Sequence, residues 1–215
     1  MPKVDNREYR NMTLEVVQEE REENQDERKL VAGYASTFNE PYILYQDDDL
    51  IYEEQVDSFA FNNTDMTDVI MQYDHQGRVF ARISNNTLRV QPDVKGLFIE
   101  ADLSGTELGR QLYDEIRGGY TDKMSFGFIV DKDEELRTEA EDGRVRILRT
   151  ITGISKLFDV SAVSIPANNA TSISVSTRGR IDGAIEEIRA ERLEAEKLEL
   201  EKRRLEVRAK ALGGK

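Results

Sequence analysis

At 215 residues, with 38% hydrophobic and only 7% aromatic content, the chain can bury one core of ordinary domain size but not two. A net charge of −13 argues against nonspecific nucleic-acid binding, which needs clustered Lys and Arg, and makes basic partners the better match. The absence of cysteine excludes a disulfide framework, thiol chemistry and thiolate-held metals. Residues 1–7 lack the apolar core of a secretion signal, and no run of about 18 apolar residues occurs. The expectation is therefore a soluble, cytoplasmic protein with no membrane span.

The first ten residues are polar and are expected to be mobile. Residues 13–17 and 30–35 read as an antiparallel pair of strands. The charged run over residues 18–29 between them forms either a long hairpin tip or a short exposed helix. Residues 45–54 carry Asp47, Asp48, Asp49, Glu53 and Glu54 without the alternating ligands and central glycine of a calcium loop, so a solvated acidic loop is expected rather than a metal site. A strand over residues 69–74 ends at His75, with Gln76-Gly77 as the turn. Residues 87–90 and 96–101 form a β-hairpin around Pro92-Asp93. Ser104 is the expected N-cap of a helix, with Glu107 completing a capping box, Leu108, Leu112, Tyr113 and Ile116 as its apolar stripe and Gly118-Gly119 as its stop. That helix feeds directly into residues 123–130. Beyond lie an acidic hairpin tip at 131–143, a half-exposed strand at 144–149 and a last strand at 157–165.

In the strand over residues 123–130, alternation puts Met124, Phe126, Phe128 and Val130 on a core face and Ser125, Gly127 and Ile129 on the other. A small hydroxyl beside a residue without a side chain leaves a lane through which a polypeptide backbone could approach a nucleophile. The plainer reading of Ser-x-Gly in a strand is a bulge, so the serine needs a base to mark it out. His75 is the only histidine of the chain, and imidazole is the base that activates serine near neutral pH. By itself, a histidine beside a turn is an ordinary surface residue. The serine has no G-x-S-x-G context, which disfavours an α/β-hydrolase, and no phosphate-binding loop pattern occurs. In the last strand, period two puts Leu157, Asp159, Ser161, Val163 and Ile165 together, making Asp159 a charge on a largely apolar face.

The succession of motifs carries a resemblance. Gly33-Tyr34-Ala35, followed by Phe38-Asn39, opens the series. A strand ending Asp74-His75, a hairpin with Asp93-Val94-Lys95-Gly96-Leu97, a helix, Met124-Ser125-Phe126-Gly127-Phe128 and Val160-Ser161-Ala162-Val163-Ser164-Ile165-Pro166-Ala167-Asn168 follow in order. Over about residues 30–172 this resembles the prohead maturation proteases of tailed bacteriophages, serine peptidases distantly similar to the herpesvirus assemblins. The resemblance implies Ser125 as nucleophile and His75 as base. It also implies Asp159 as the third site residue, where an acidic group precedes Val160-Ser161 and a glutamate would be the commoner choice. Assemblins use a second histidine, which this chain lacks, and Asp74 and Asp122 are alternatives to Asp159 by proximity in sequence. Backbone amides near Phe126 or Gly127 are candidate oxyanion donors.

From Arg178 the composition turns to Glu, Arg, Lys, Leu and Ala, predicting a helix over residues 181–211. Ile181, Ile185 and Ile188 start a stripe that Leu193, Leu198, Leu200 and Leu205 do not continue as a clean heptad. It is read as a solvated helix or as a docking arm for scaffold or capsid, separable from a domain ending near Thr177. The expected organisation is a flexible N-terminus (1–10), a protease domain (11–177) and a charged helical extension (178–215). The expected fold is α+β, with a largely antiparallel, barrel-like sheet. The function implied by the resemblance is cleavage of the phage major capsid protein and its scaffold region inside an assembling procapsid in the host bacterial cytoplasm. No cofactor, metal or nucleic acid is called for, and self-cleavage and a homo-oligomer are left open. The competing class is a scaffolding or capsid-bound protein that keeps the fold without activity; a peptide-binding module using a sheet edge is a third.

Overall fold

A computed structural model describes residues 7–15, 28–163 and 175–212. In chain order its strands are β1 (Glu8–Glu15), β2 (Leu30–Thr37), β3 (Tyr42–Gln46), β4 (Leu50–Val56), β5 (Ile70–Tyr73), β6 (Gln76–Arg82), β7 (Leu88–Pro92) and β8 (Gly96–Asp102). Helix α1 (Glu107–Arg117), the long strands β9 (Lys123–Glu139) and β10 (Val145–Val163) and helix α2 (Val175–Leu212) complete it. The α+β class agrees with the sequence. The sheet runs β3-β4-β10-β9-β1-β2-β8-β7, with β5 and β6 branching from β10. It is open at β3 and β7 rather than closed, which corrects the barrel-like expectation. Pairing is antiparallel except where β10 meets β4 and β5. Most of the charged run at 18–29 and the Pro166-Ala167-Asn168 end of the last strand lie outside the described residues.

The main core follows the sequence pattern: Met124, Phe126 and Phe128 from β9 pack with Val160 and Ala162 of β10, Ile99 of β8 and Leu112 and Ile116 of α1. Helix α1 is capped by Thr106, whose hydroxyl accepts from Gly109 N at 2.9 Å, not by Ser104. The Ser104 hydroxyl instead donates to the Asp102 carboxylate. The two glycines end α1 as expected, with Gly119 at φ +74°.

Three stretches depart from expectation. The acidic segment is a hairpin, β3 and β4, in which Asp47 Oδ1 accepts from Asp49 N and Leu50 N, each at 2.8 Å. Glu53 and Glu54 are buried there. Second, Glu8 and Arg10, expected in a mobile leader, are buried in β1. Third, β9 does not stop at Val130 but continues as an exposed ribbon to Glu139, so the tip shrinks to a turn around Gly143.

The three stretches meet in one largely buried cluster of charges. Arg149 Nη1 donates to Glu8 Oε2 at 2.9 Å and Glu54 Oε2 at 2.8 Å, while its Nε reaches Asp133 Oδ2 at 2.6 Å. Arg10 donates to Glu54 Oε1 at 2.5 Å and to Glu8 Oε2 at 2.5 Å, and Tyr42 OH also donates to Glu54. A carboxylate as fully buried as Glu54 is tolerated only with such partners.

The start of α2 closes the same region. Ile181 and Ile188 are buried with Leu44, Leu50, Tyr52 and Ile147, Thr177 accepts from Arg149, and Arg180 pairs with Asp133 at 2.6 Å. Arg137 pairs with Glu191 at 2.6 Å, and Arg192 with Asp49. A boundary near Thr177 therefore cuts through a packed interface. A chain ending at Thr177 is expected to lose about 3–6 kcal/mol, the burial of two isoleucine side chains. One ending at Arg192 is expected to melt like the full chain, and thermal unfolding of both checks this.

Candidate active site

His75 sits at the tip of the β5–β6 hairpin, not at the end of a lone strand. Tyr73 pairs with Gln76, leaving Asp74 and His75 as a two-residue turn with φ of +49° and +57°. Such turns match the twist of antiparallel strands, and Asp and His are among the residues that tolerate the left-handed region. The turn therefore falls before Gln76-Gly77, and β6 is a strand that the sequence pattern did not reveal. Asp74 N donates to Ala162 O at 2.9 Å, fastening the turn beside β10.

Strand β10 supplies the acid through an irregularity. The register between β9 and β10 shifts between Leu157 and Asp159, and such a bulge reverses which face each later residue takes. Leu157 joins the main core with Val160 and Ala162. Asp159 stands opposite Gly127 and Ser161 opposite Ser125, on the other face of the sheet. Strict period two, which grouped Leu157 with Asp159, is thus corrected by the bulge.

The consequence is a contact between residues 84 positions apart: His75 Nδ1 and Asp159 Oδ1 lie 2.5 Å from each other. A carboxylate only accepts, so Nδ1 carries the proton, and in the neutral imidazole Nε2 then keeps its lone pair. Asp159 Oδ1 also accepts from Ser161 Oγ at 2.7 Å. The Tyr9 ring lies against the imidazole with centroids 4.3 Å apart. Asp122, one of the alternatives to Asp159, pairs with Lys123. Tyr9 and Ser161 were not singled out from the sequence: nothing local distinguishes Tyr9, whereas Asp-x-Ser on one strand face was a legible signal for Ser161.

Ser125 shares the sheet face of Asp159 and Ser161, but it is 1% exposed, so the open lane expected above it is filled. Among the described residues Ser125 Oγ is the one buried side-chain polar atom without a hydrogen-bond partner, so it is not bonded to His75 here. Gly127 has a defined use. A Cβ there would lie 2.5 Å from Asp159 Oδ2 and 2.8 Å from Tyr9 Cε1, so the missing side chain is the space the carboxylate occupies. Gly127→Ala is expected to push Asp159 off His75 with the fold retained, which the ring-nitrogen resonances of the sole histidine and circular dichroism check. Phe126 and Gly127 lie in a strand paired on both sides, where amides point along the sheet rather than toward its face, so neither is placed as an oxyanion donor.

The sequence profile of the family described as caudovirus prohead serine protease matches residues 14–182. The chain belongs to this family. The prohead serine protease match spans β2 to β10 and reaches the first turns of α2, taking in Ser125, His75 and Asp159. It identifies the chain as a serine peptidase of phage head maturation. No curated protein and no solved structure matches the chain. Among the described residues no helix is long and apolar enough to cross a membrane, and no group of three or more His, Asp or Glu side chains is arranged to hold a metal ion.

Proposed function

We propose that this prohead serine protease cleaves the scaffold region and extensions of the major capsid protein inside the assembling procapsid, in the host cytoplasm, using Ser125, His75 and Asp159. The observation that carries the assignment is the His75–Asp159 hydrogen bond on the sheet face that also holds Ser125. Asp159 keeps the Nδ1 proton in place and stabilises the imidazolium that forms. Ser125 Oγ attacks the scissile carbonyl carbon as its proton passes to His75 Nε2. Collapse of the tetrahedral adduct breaks the C–N bond, and His75 returns the proton to the departing amine. Water, activated by the same imidazole, then releases the acyl group and restores Ser125. The unpartnered Ser125 hydroxyl has no competing bond to give up, and because it is 1% exposed, substrate binding in this reading must both uncover it and turn it toward Nε2.

The protease unit in this reading extends from β1 to about Arg192. The remainder of α2 is a charged arm, with Leu193, Leu198, Leu200, Leu205 and Val207 all more than half exposed. The test is co-expression with the cognate capsid and scaffold proteins. Wild type is expected to convert both to shortened bands and Ser125→Ala to leave them full-length; identical patterns would favour the non-enzymatic scaffolding alternative.

A further inference from the structure

We propose that Ser161 is a positioning residue of this site, whose hydroxyl holds the Asp159 carboxylate in the orientation that engages His75. The inference rests on the reading of His75 and Asp159 given above. Ser161 is completely buried, and its Oγ donates at 2.7 Å to Asp159 Oδ1, the same oxygen that meets His75 Nδ1 at 2.5 Å. The two residues are two apart on one strand, so both project from the same face without any loop between them.

An aspartate needs such a hold. Its terminal torsion is broad and roughly two-fold, so the backbone of β10 alone does not choose which oxygen faces the imidazole. Two contacts do: Ser161 and His75 both donate to Oδ1, while Oδ2 takes the space left by the missing Gly127 side chain. Removing the Ser161 hydroxyl leaves Oδ1 one donor short in a place closed to solvent, since Asp159 is itself buried. The carboxylate is then free to turn, and the Nδ1 proton loses its fixed acceptor. In the other tautomer Nε2 carries the proton and cannot accept one from Ser125, so a hydroxyl that touches no substrate acts on the reaction through Asp159.

A residue that merely filled space opposite Ser125 would be replaceable by any side chain of equal volume, whereas a donor is not. Ser161→Thr and Ser161→Val separate the two roles, because they match in shape and differ in the hydroxyl. The chain has one histidine, so protein labelled with 15N-histidine gives a single pair of ring-nitrogen resonances that reads the tautomer of His75 and the exchange of its Nδ1 proton directly. Wild type and Ser161→Thr are expected to show one tautomer with a slowly exchanging Nδ1 proton. Ser161→Ala and Ser161→Val are expected to show mixed tautomers, faster exchange and a kcat lowered about tenfold to a hundredfold, with KM unchanged. Identical ring resonances in the Thr and Val variants, or an unaltered tautomer in Ser161→Ala, would overturn the proposal. Surviving cleavage by Ser125→Ala would instead sink the site reading beneath it, a result the ring resonances do not depend on.

Discussion

Replacing Ser125 by Ala is expected to lower the rate of capsid-peptide cleavage by about 10⁶-fold, and His75→Ala by a similar factor, because in the proposed mechanism nucleophile and base act as one unit. The double variant is expected to lose little more than either single one. That non-additivity separates a working pair from two residues that each support the fold, whose losses would add. Histidine is the side chain whose ordinary pKa suits a base near neutrality, and the chain has one. Protonated imidazole cannot accept a proton, so the wild-type rate is expected to fall on acidification. Single-turnover cleavage of a labelled peptide measures all three variants, and normal cleavage by Ser125→Ala would exclude the mechanism.

Arg149→Ala is expected to be the most destabilising change outside the site, by about 3–5 kcal/mol, because it removes the cation shared by the buried Glu8 and Glu54 and the half-buried Asp133. For a chain of this size the melting temperature falls by about 10 °C or more. The effect is pH-dependent with a definite sign. Burial alone would raise the Glu8 and Asp133 carboxyls, but the guanidiniums of Arg10 and Arg149 beside Glu8, and of Arg149 and Arg180 beside Asp133, outweigh it and hold both below their ordinary values of 4.5 and 3.8. A carboxyl lowered by folding adds stability that is fully present above its ordinary value and is lost as the pH falls through its depressed one. The gap between wild type and Arg149→Ala is therefore expected to be full at pH 7 and to narrow in the acid range below those values. Urea unfolding at pH 7 and in acid measures it; a gap that does not change with pH would show that packing of the arginine stem, not its charge, is what was removed.

Residue types and local periodicities are legible in the amino-acid sequence alone. Alternation in Met124-Ser125-Phe126-Gly127-Phe128 put the phenylalanines in the core and the serine on the opposite face, and the structure keeps that division. The sole histidine was legible as the one candidate base, and the apolar stripe of α1 and the helical composition of α2 needed no tertiary information. Contacts across the chain were another matter. The run from Asp47 to Glu54 looks solvated because the cations that accompany it, Arg10, Arg146 and Arg149, come from strands far away in sequence. Ile181 and Ile188 look like a broken heptad because their partners lie on β3, β4 and β10 rather than on another helix. The approach of Asp159 to His75 depends on a bulge that breaks period two, on the parallel register of β5 with β10 and on a left-handed turn, none of which any short window encodes. Side-chain chemistry and period are set by neighbours along the chain, whereas which charge meets which, and whether water is present between them, is set by how distant strands are laid side by side.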